Sequence, residues 1–323
     1  MTTGSSKVEI RAVGKKTLVI GLGQIRGSYF AWNSMIENLL YPYNADLALL
    51  IPEKSEYSIL HEIAEYIWDV PEYDDWGTIL DDAALKCSSN SSNWRILCNI
   101  PSGWFGGVKN CENSEPNSAG ILLALRLILQ QKFNENGLLE KYDMFVLTRV
   151  DYLYLCKHHN LAEFSDEAIY VPVGEEWGGW TDRHLVASGS QFYRAISYPQ
   201  ELICSSHKWM PILERIPYPQ NIESLQKAVW REMHVSVRQF PPSMFTVKTI
   251  SDPTRHSVGD PLVWNSTIFE KFGLIVKYGE EMKIATRSCN RSLEFFAAMH
   301  QQPARDLHNQ ESLQSRHFNP RRN

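Results

Sequence analysis

Residues 142–155 read YDMFVLTRVDYLYL, and the fold turns on how this stretch is interpreted. Phe145, Val146 and Leu147 form an uncharged run of the kind expected in a strand covered on both faces, as in a parallel sheet flanked by helices. The run then meets Arg149 and Asp151 and resumes as aromatics at Tyr152 and Tyr154. In open α/β sheets ligands sit outside the carboxyl ends of the strands, so a carboxylate delivered at such an end is well placed to meet a metal or a phosphate. Asp151 is therefore the expected centre of a metal and nucleotide site.

Around this strand the chain alternates. Residues 16–22 read as a first strand, 29–40 as an amphipathic helix, 46–51 as a second strand and 56–68 as a further helix; such β-α-β-α order implies parallel strands joined by right-handed crossovers. Residues 94–100 read as a strand between long loops, and 119–134 as a helix with a broad apolar face that Ser118 is placed to cap. Residues 168–172 give a short strand, 184–187 a strand or helix start, 221–233 a helix and 235–240 a strand. The expected architecture is a single α/β domain over residues 16–299, with a mixed, mainly parallel, Rossmann-like central sheet flanked by helices. Residues 1–15 read as a flexible amino terminus and 300–323 as a disordered basic tail.

The 323 residues are 43% hydrophobic and 21% charged, enough for a sizeable core without staples. A net charge of -5 and a pI near 6.1 give no global attraction to nucleic acid. The six cysteines are scattered with no C-x-x-C pair, so they are expected to be reduced, individually buried thiols rather than zinc ligands. The longest apolar run, residues 119–129, is short and contains Arg126, so no membrane span is expected. The amino terminus has no apolar signal region, which makes the chain as it stands cytoplasmic by default. Sequons at Asn90, Asn265 and Asn290 keep a secretory, Golgi location open if the chain is truncated.

Three constellations carry chemistry. The string VIGLGQIRG, with Gly21, Gly23 and Gln24 leading to Arg26 and Gly27, imitates a dinucleotide fingerprint, but the third glycine falls one place late, at the position after Arg26. Its alternatives are a tight turn that packs strand on helix, or a loop that carries the base and ribose of another nucleotide with Gln24 and Arg26 as polar contacts. Arg149 and Asp151 suit a diphosphate clamp and a Mg²⁺ or Mn²⁺ ligand respectively, with a plain ion pair as the alternative. The loop GEEWGGWTDRH crowds Glu176, Trp177, Gly179, Trp180, Asp182 and Arg183 together. Its tryptophans suit pyranose stacking, and Asp182 suits a general base on an acceptor hydroxyl. The histidines show no metal spacing, and His256 in SDPTRH is kept as a distant metal ligand. The absence of G-x-S-x-G argues against a serine hydrolase.

The stretches GQIRGSYFAWNSMIENLLYPYNADLALLI, EYIWDVPEYDDWG, YDMFVLTRVDYLYLCKHH, VPVGEEWGGWTDRHLVAS and FPPSMFTVKTISDPTRH together resemble a poorly characterised domain family of eukaryotic microbes, especially algae. The resemblance covers about residues 17 to 256. More distantly, the T-R-x-D strand followed by the G-G-x-x-D-R loop is similar to nucleotide-sugar glycosyltransferases of the GT-A fold. That resemblance implies sugar transfer from a nucleotide-sugar to a hydroxyl of a glycan or glycoprotein. It implies Asp151 as the metal or diphosphate ligand, Arg149 beside it and Asp182 in the acceptor or catalytic loop. Together with the reading of the motifs, the expected donor site holds Gly23, Gln24, Arg26, Arg149 and Asp151, the acceptor site Glu176, Trp177, Gly179, Trp180, Asp182 and Arg183, and the metal site Asp151 and His256, with Asp182 and Arg149 as the expected catalytic residues. Arg149 stands where the usual Asp-x-Asp has its first acid, so metal dependence and direct neutralisation of diphosphate by Arg149 both stay open. The rival expectations are a catalytically silent sugar-binding or scaffold protein and a nucleotide-cofactor oxidoreductase.

Overall fold

The computed structural model describes residues 15–55, 57–87, 93–100, 102–111, 118–174, 176–217, 220–249 and 274–290. His256, the basic tail and all but Lys15 of the expected flexible amino terminus lie outside them.

The core is a seven-stranded sheet. It contains β1 (Thr17–Leu22), β2 (Asp46–Pro52), β3 (Tyr66–Val70), β4 (Met144–Thr148), β6 (Ile169–Pro172), β7 (Leu185–Ser188) and β8 (Val237–Phe240). Their order is β3-β2-β1-β4-β7-β6-β8. The first four are mutually parallel, β7 runs antiparallel to both neighbours, and β8 is parallel to β6. A smaller antiparallel sheet joins β5 (Tyr152–Tyr154), β9 (Met244–Thr249) and β10 (Leu274–Val276) in the order β10-β9-β5.

The period of two along each strand divides the core into layers. Leu18, Ile20, Phe145 and Leu147 face one layer, covered by α4 (Gly77–Leu85), α5 (Ala119–Asn136), α7 (Gly189–Ile196), α8 (Tyr198–Cys204), α9 (Ser206–Leu213) and α10 (Ile222–Glu232). Val19, Met144 and Val146 face the other, covered by α1 (Tyr29–Met35), its π-helical continuation Ile36–Leu40, α2 (Tyr41–Tyr43) and α3 (Ile59–Ile63). The helix α6 (Leu138–Lys141) leads into β4, and α11 (Gly279–Ser288) packs on the small sheet. No helix among the described residues is long and apolar enough to cross a membrane.

Three local expectations change. Residues 56–68 are not one helix: α3 ends at Ile63, and Trp68 and Val70 alternate into the core while Ile67 is 42% exposed, so period two wins there. Residues 94–99 form a 3-10 helix instead of a strand, with the Trp94 indole donating to Asp81 at 2.8 Å. The cysteines are paired, not free: Cys87–Cys204, Cys98–Cys111 and Cys156–Cys289. Two of these bridges close separations of 117 and 133 residues, which no local spacing in the sequence announces.

Candidate functional site

The parallel order β3-β2-β1-β4 sends the connection after β1 to one side and the connection after β3 to the other. This makes the β1/β4 junction a topological switch point, where an open sheet leaves a crevice at its carboxyl edge. A cavity of about 260 Å³ lies there, lined by Gly23, Gln24 and Arg26 after β1 and by Arg149, Val150 and Asp151 after β4. Its other walls come from the ends of β2 and β3, including Glu72, and from the start of α5. The volume falls just below the usual range for small-molecule sites, about 300–1,000 Å³. All five expected donor residues therefore meet in one place. A larger hollow of about 890 Å³ lies beside α4, α5 and the Cys87–Cys204 bridge, and none of the expected site residues lines it.

Glycine geometry shapes the β1 side. Gly27 has φ +89°, and a Cβ there would meet the Asp151 Cα at 3.3 Å, so the turn presses directly on the Arg-x-Asp segment. Arg26 donates to the Gln24 side chain, and its carbonyl accepts from the Trp32 indole at 2.9 Å.

On the β4 side the strand ends at Thr148, and a turn brings Arg149 and Asp151 together. Arg149 Nε and Nη2 donate to Oδ1 and Oδ2 of Asp151 at 2.7 and 2.5 Å, a bidentate pair. Asp151 is 2% exposed. Burial pushes its carboxyl up, but Arg149, aided by Lys277 and Arg26, more than offsets this and holds it below the ordinary range. Burial likewise works to lower the Arg149 pKa, and Asp151 reverses it, so the guanidinium stays charged. Both Asp151 oxygens are thus engaged, and no group of three or more His, Cys, Asp or Glu side chains among the described residues is arranged to hold a metal ion. A divalent cation needs several oxygen ligands, whereas the surroundings of Asp151 are cationic. The described residues do not fit the expected Mn²⁺ or Mg²⁺.

The sequence reading missed the third wall of the charge cluster. The Val247 amide donates to the Asp151 carbonyl at 2.9 Å, and the Lys277 amide to the Thr246 carbonyl at 3.0 Å. These rungs carry Lys277 and Tyr278, just beyond β10, across the small sheet toward Arg149. Burial, then Arg149, lowers the Lys277 pKa to about 8, with Asp151 opposing and Arg26 and Arg183 adding to the fall.

Arg183 is buried, with Nη1 2.8 Å from Glu281 of α11 and its guanidinium 4.5 Å over the Tyr278 ring. Glu281 also accepts from the Thr246 amide and hydroxyl at 3.0 and 2.8 Å. Burial raises the Tyr278 phenol, opposed by Arg183 and Arg149, with Glu281 and Asp182 raising it further. Tyr278 therefore lies within electrostatic reach of both motifs.

The rest of the expected acceptor loop is tied to α10 and, through Arg126, to α5. Asn221 donates to the Trp177 carbonyl at 2.9 Å, Gln226 to the carbonyls of Trp180 and Thr181 at 3.3 and 3.1 Å, and Arg126 to that of Asp182 at 2.7 Å. A Cβ on Gly179 would lie 1.9 Å from the Glu223 carbonyl, so glycine is required for this close approach. Glu176 accepts from the Gly174 amide and Gln239 at 2.8 and 2.9 Å. Trp177 is 51% exposed with φ 47°, and Trp180 packs beneath Lys227. None of the expected acceptor residues, Glu176, Trp177, Gly179, Trp180, Asp182 and Arg183, lines the switch-point cavity. Gly178 lines a separate hollow of about 580 Å³ with Arg215, Lys227 and Arg231.

A buried hydrogen-bond chain staples the two motif segments. His158 Nδ1 lies 2.9 Å from the His159 carbonyl, which only accepts, so Nδ1 carries the proton and Nε2 accepts. His184 Nε2, 3.1 Å away, must then donate, leaving its Nδ1 to accept from the Thr148 hydroxyl at 3.0 Å. Thr148 in turn accepts from the Tyr154 hydroxyl at 3.1 Å. One neutral arrangement satisfies every member, and it locks the residue before Arg149 to the residue after Arg183. No family model matches this sequence, and no curated protein matches it.

Proposed function

We propose that this protein is a glycosyltransferase of GT-A-like fold that moves a sugar from a nucleoside-diphosphate donor to a hydroxyl of a glycan or glycoprotein. The observation that carries the reading is the convergence of Gly23, Gln24, Arg26, Arg149 and Asp151 on one cavity at the β1/β4 switch point. The mixed, mainly parallel sheet is the architecture that the GT-A resemblance implies. In this reading the β1 loop takes the base and ribose, and Arg149 takes the diphosphate. The acceptor oxygen bonds to the anomeric carbon as the bond from that carbon to the diphosphate oxygen breaks. The electron pair leaves on the diphosphate. With Asp182 as the base that takes the acceptor proton, attack from the opposite face inverts the anomeric centre; without a base, retention is the equal alternative. Three disulfides favour an oxidising, secretory compartment over the cytoplasmic alternative.

The test is a melting-temperature titration of wild type and Asp151→Asn with UDP, GDP, CMP and NAD(H). One nucleoside diphosphate is expected to stabilise the wild type saturably, by about 2.7 kcal/mol at a hundredfold excess over Kd, and Asp151→Asn to lose the effect. A response to NAD(H) alone would point to the oxidoreductase instead. Asp182→Asn is expected to keep donor binding and lose transfer; binding without turnover in the wild type would identify a silent sugar-binding protein.

A further inference from the structure

Resting on that transferase reading, we propose that the donor diphosphate is neutralised by a clamp of side-chain cations, Arg149 flanked by Lys277 and Arg26, and that its binding needs no divalent metal ion. The argument starts from Asp151. Its two oxygens hold Arg149 Nε and Nη2, which uses two of the five N–H donors of the guanidinium and leaves the other edge unclaimed by Asp151. Arg149 is 27% exposed through its side chain whereas Asp151 is almost wholly covered, and both line the cavity. Asp151 is thus a positioning residue: it fixes the plane of the guanidinium and presents its outer edge to an anion, the geometry in which arginine recognises phosphate.

Charge balance points the same way. Arg183 is matched by Glu281 at 2.8 Å and Arg149 by Asp151; Lys277 and Arg26 both favour the charged form of Asp151, and Glu72 on the cavity wall offsets part of this positive charge. A divalent cation placed at Asp151 would have to displace Arg149 and sit among these cations. A diphosphate would instead gain from all of them. The backbone rungs from Asp151 through Val247 and Thr246 to Lys277 fix the Lys277 backbone beside the Asp151 segment, within electrostatic reach of Arg149 and Asp151.

The experiment is calorimetric titration of the full chain with UDP and GDP, once in excess EDTA and once in excess Mn²⁺, at low and high salt. The expected result is the same affinity with and without Mn²⁺, weakening as salt screens the charges. Arg149→Ala leaves a buried carboxylate unpaired and is open to misfolding, so Lys277→Gln and Arg26→Gln are the informative variants. Each is expected to retain the wild-type melting profile and to weaken binding in EDTA by about tenfold, one charge-assisted contact. Binding that appears only with Mn²⁺, or that Lys277→Gln leaves unchanged, overturns the clamp while keeping the transferase reading. No binding of either diphosphate under both conditions overturns both.

Discussion

Protonating His158 or His184 breaks the chain that runs from the Tyr154 hydroxyl to the His159 carbonyl, because an imidazolium has no acceptor nitrogen. Burial therefore lowers the His158 pKa from 6.5 to about 4, and burial with the neighbouring His158 sets His184 well below its ordinary value. The unfolded chain takes up the His158 proton near pH 6.5 while the folded chain resists until about pH 4, and His184 shifts in the same direction. Both pKa values are depressed, so the stability they contribute is present above pH 6.5 and is lost as pH falls toward 4. For His158 alone the loss is on the order of 3 kcal/mol. Urea midpoints followed down this range should fall, and His158→Asn should flatten the upper part of the slope; a flat wild-type profile would rule out the neutral pair. Two rings 26 positions apart meet nitrogen to nitrogen as a structural staple, a role that no histidine spacing in the sequence announces. Glu281 makes a second residue-scale prediction. Its replacement by Ala leaves Arg183 charged and buried and should cost about 3–5 kcal/mol, whereas the apolar double variant Arg183→Met/Glu281→Leu should recover much of that. Equal midpoints for the single and double variants would remove the ion pair from the account.

At the scale of elements, β1, β2 and β4 were the most legible part of the sequence because they are buried on two faces, whereas the half-exposed edge strand β3 was read as helix. Uninterrupted apolar runs such as Phe145–Val146–Leu147 satisfy both core layers at once and admit few other readings. The β1 loop and the Arg-x-Asp turn were legible for the same reason, since each directly follows such a run. Lys277 was not, because its role comes from β10 pairing with β9 and β9 with β5, a long-range register that leaves no mark in three-residue strands. The GEEWGGWTDRH loop was read for its chemistry, but most of its polar backbone answers to α10. Asn221 caps that helix by accepting from the Ser224 amide at 2.9 Å, and the same side chain reaches Trp177. Gly179 sits against the next residues of the helix. Gly179→Ala must push the loop away from Glu223 and is expected to cost about 2 kcal/mol or more, with faster proteolysis of the loop. A variant as stable and as resistant as the wild type would show that the loop has room to move, and would return it to the class of adaptable ligand loops.

Across the whole molecule, the three disulfides join segments that the sheet does not. Cys87–Cys204 links the end of α4 to the end of α8, and Cys156–Cys289 links the segment after β5 to the residue after α11. The second bridge anchors the outermost layer, in which α11 holds Arg183 through Glu281 and the preceding residues deliver Lys277. Among the described residues, the third core cluster there has eight buried members, Ala31, Leu153, Leu155, Phe245, Val247, Leu274, Met282 and Ala285. Closing a chain separation of 133 residues should contribute about 4–5 kcal/mol in the chain-entropy description. Protein recovered from an oxidising host and denatured without reductant is therefore expected to show no titratable thiol. The Cys156→Ser/Cys289→Ser variant should lose stability on that scale and bind a nucleoside diphosphate more weakly, because Lys277 and the Arg183–Glu281 pair hang on the layer the bridge holds. The Cys98→Ser/Cys111→Ser variant is the control, since its bridge closes only 13 residues on the opposite side of the sheet. It should lose less stability and leave diphosphate affinity unchanged. If both variants weakened binding equally, the loss would be global loosening, and the small sheet would have no specific part in building the cation cluster.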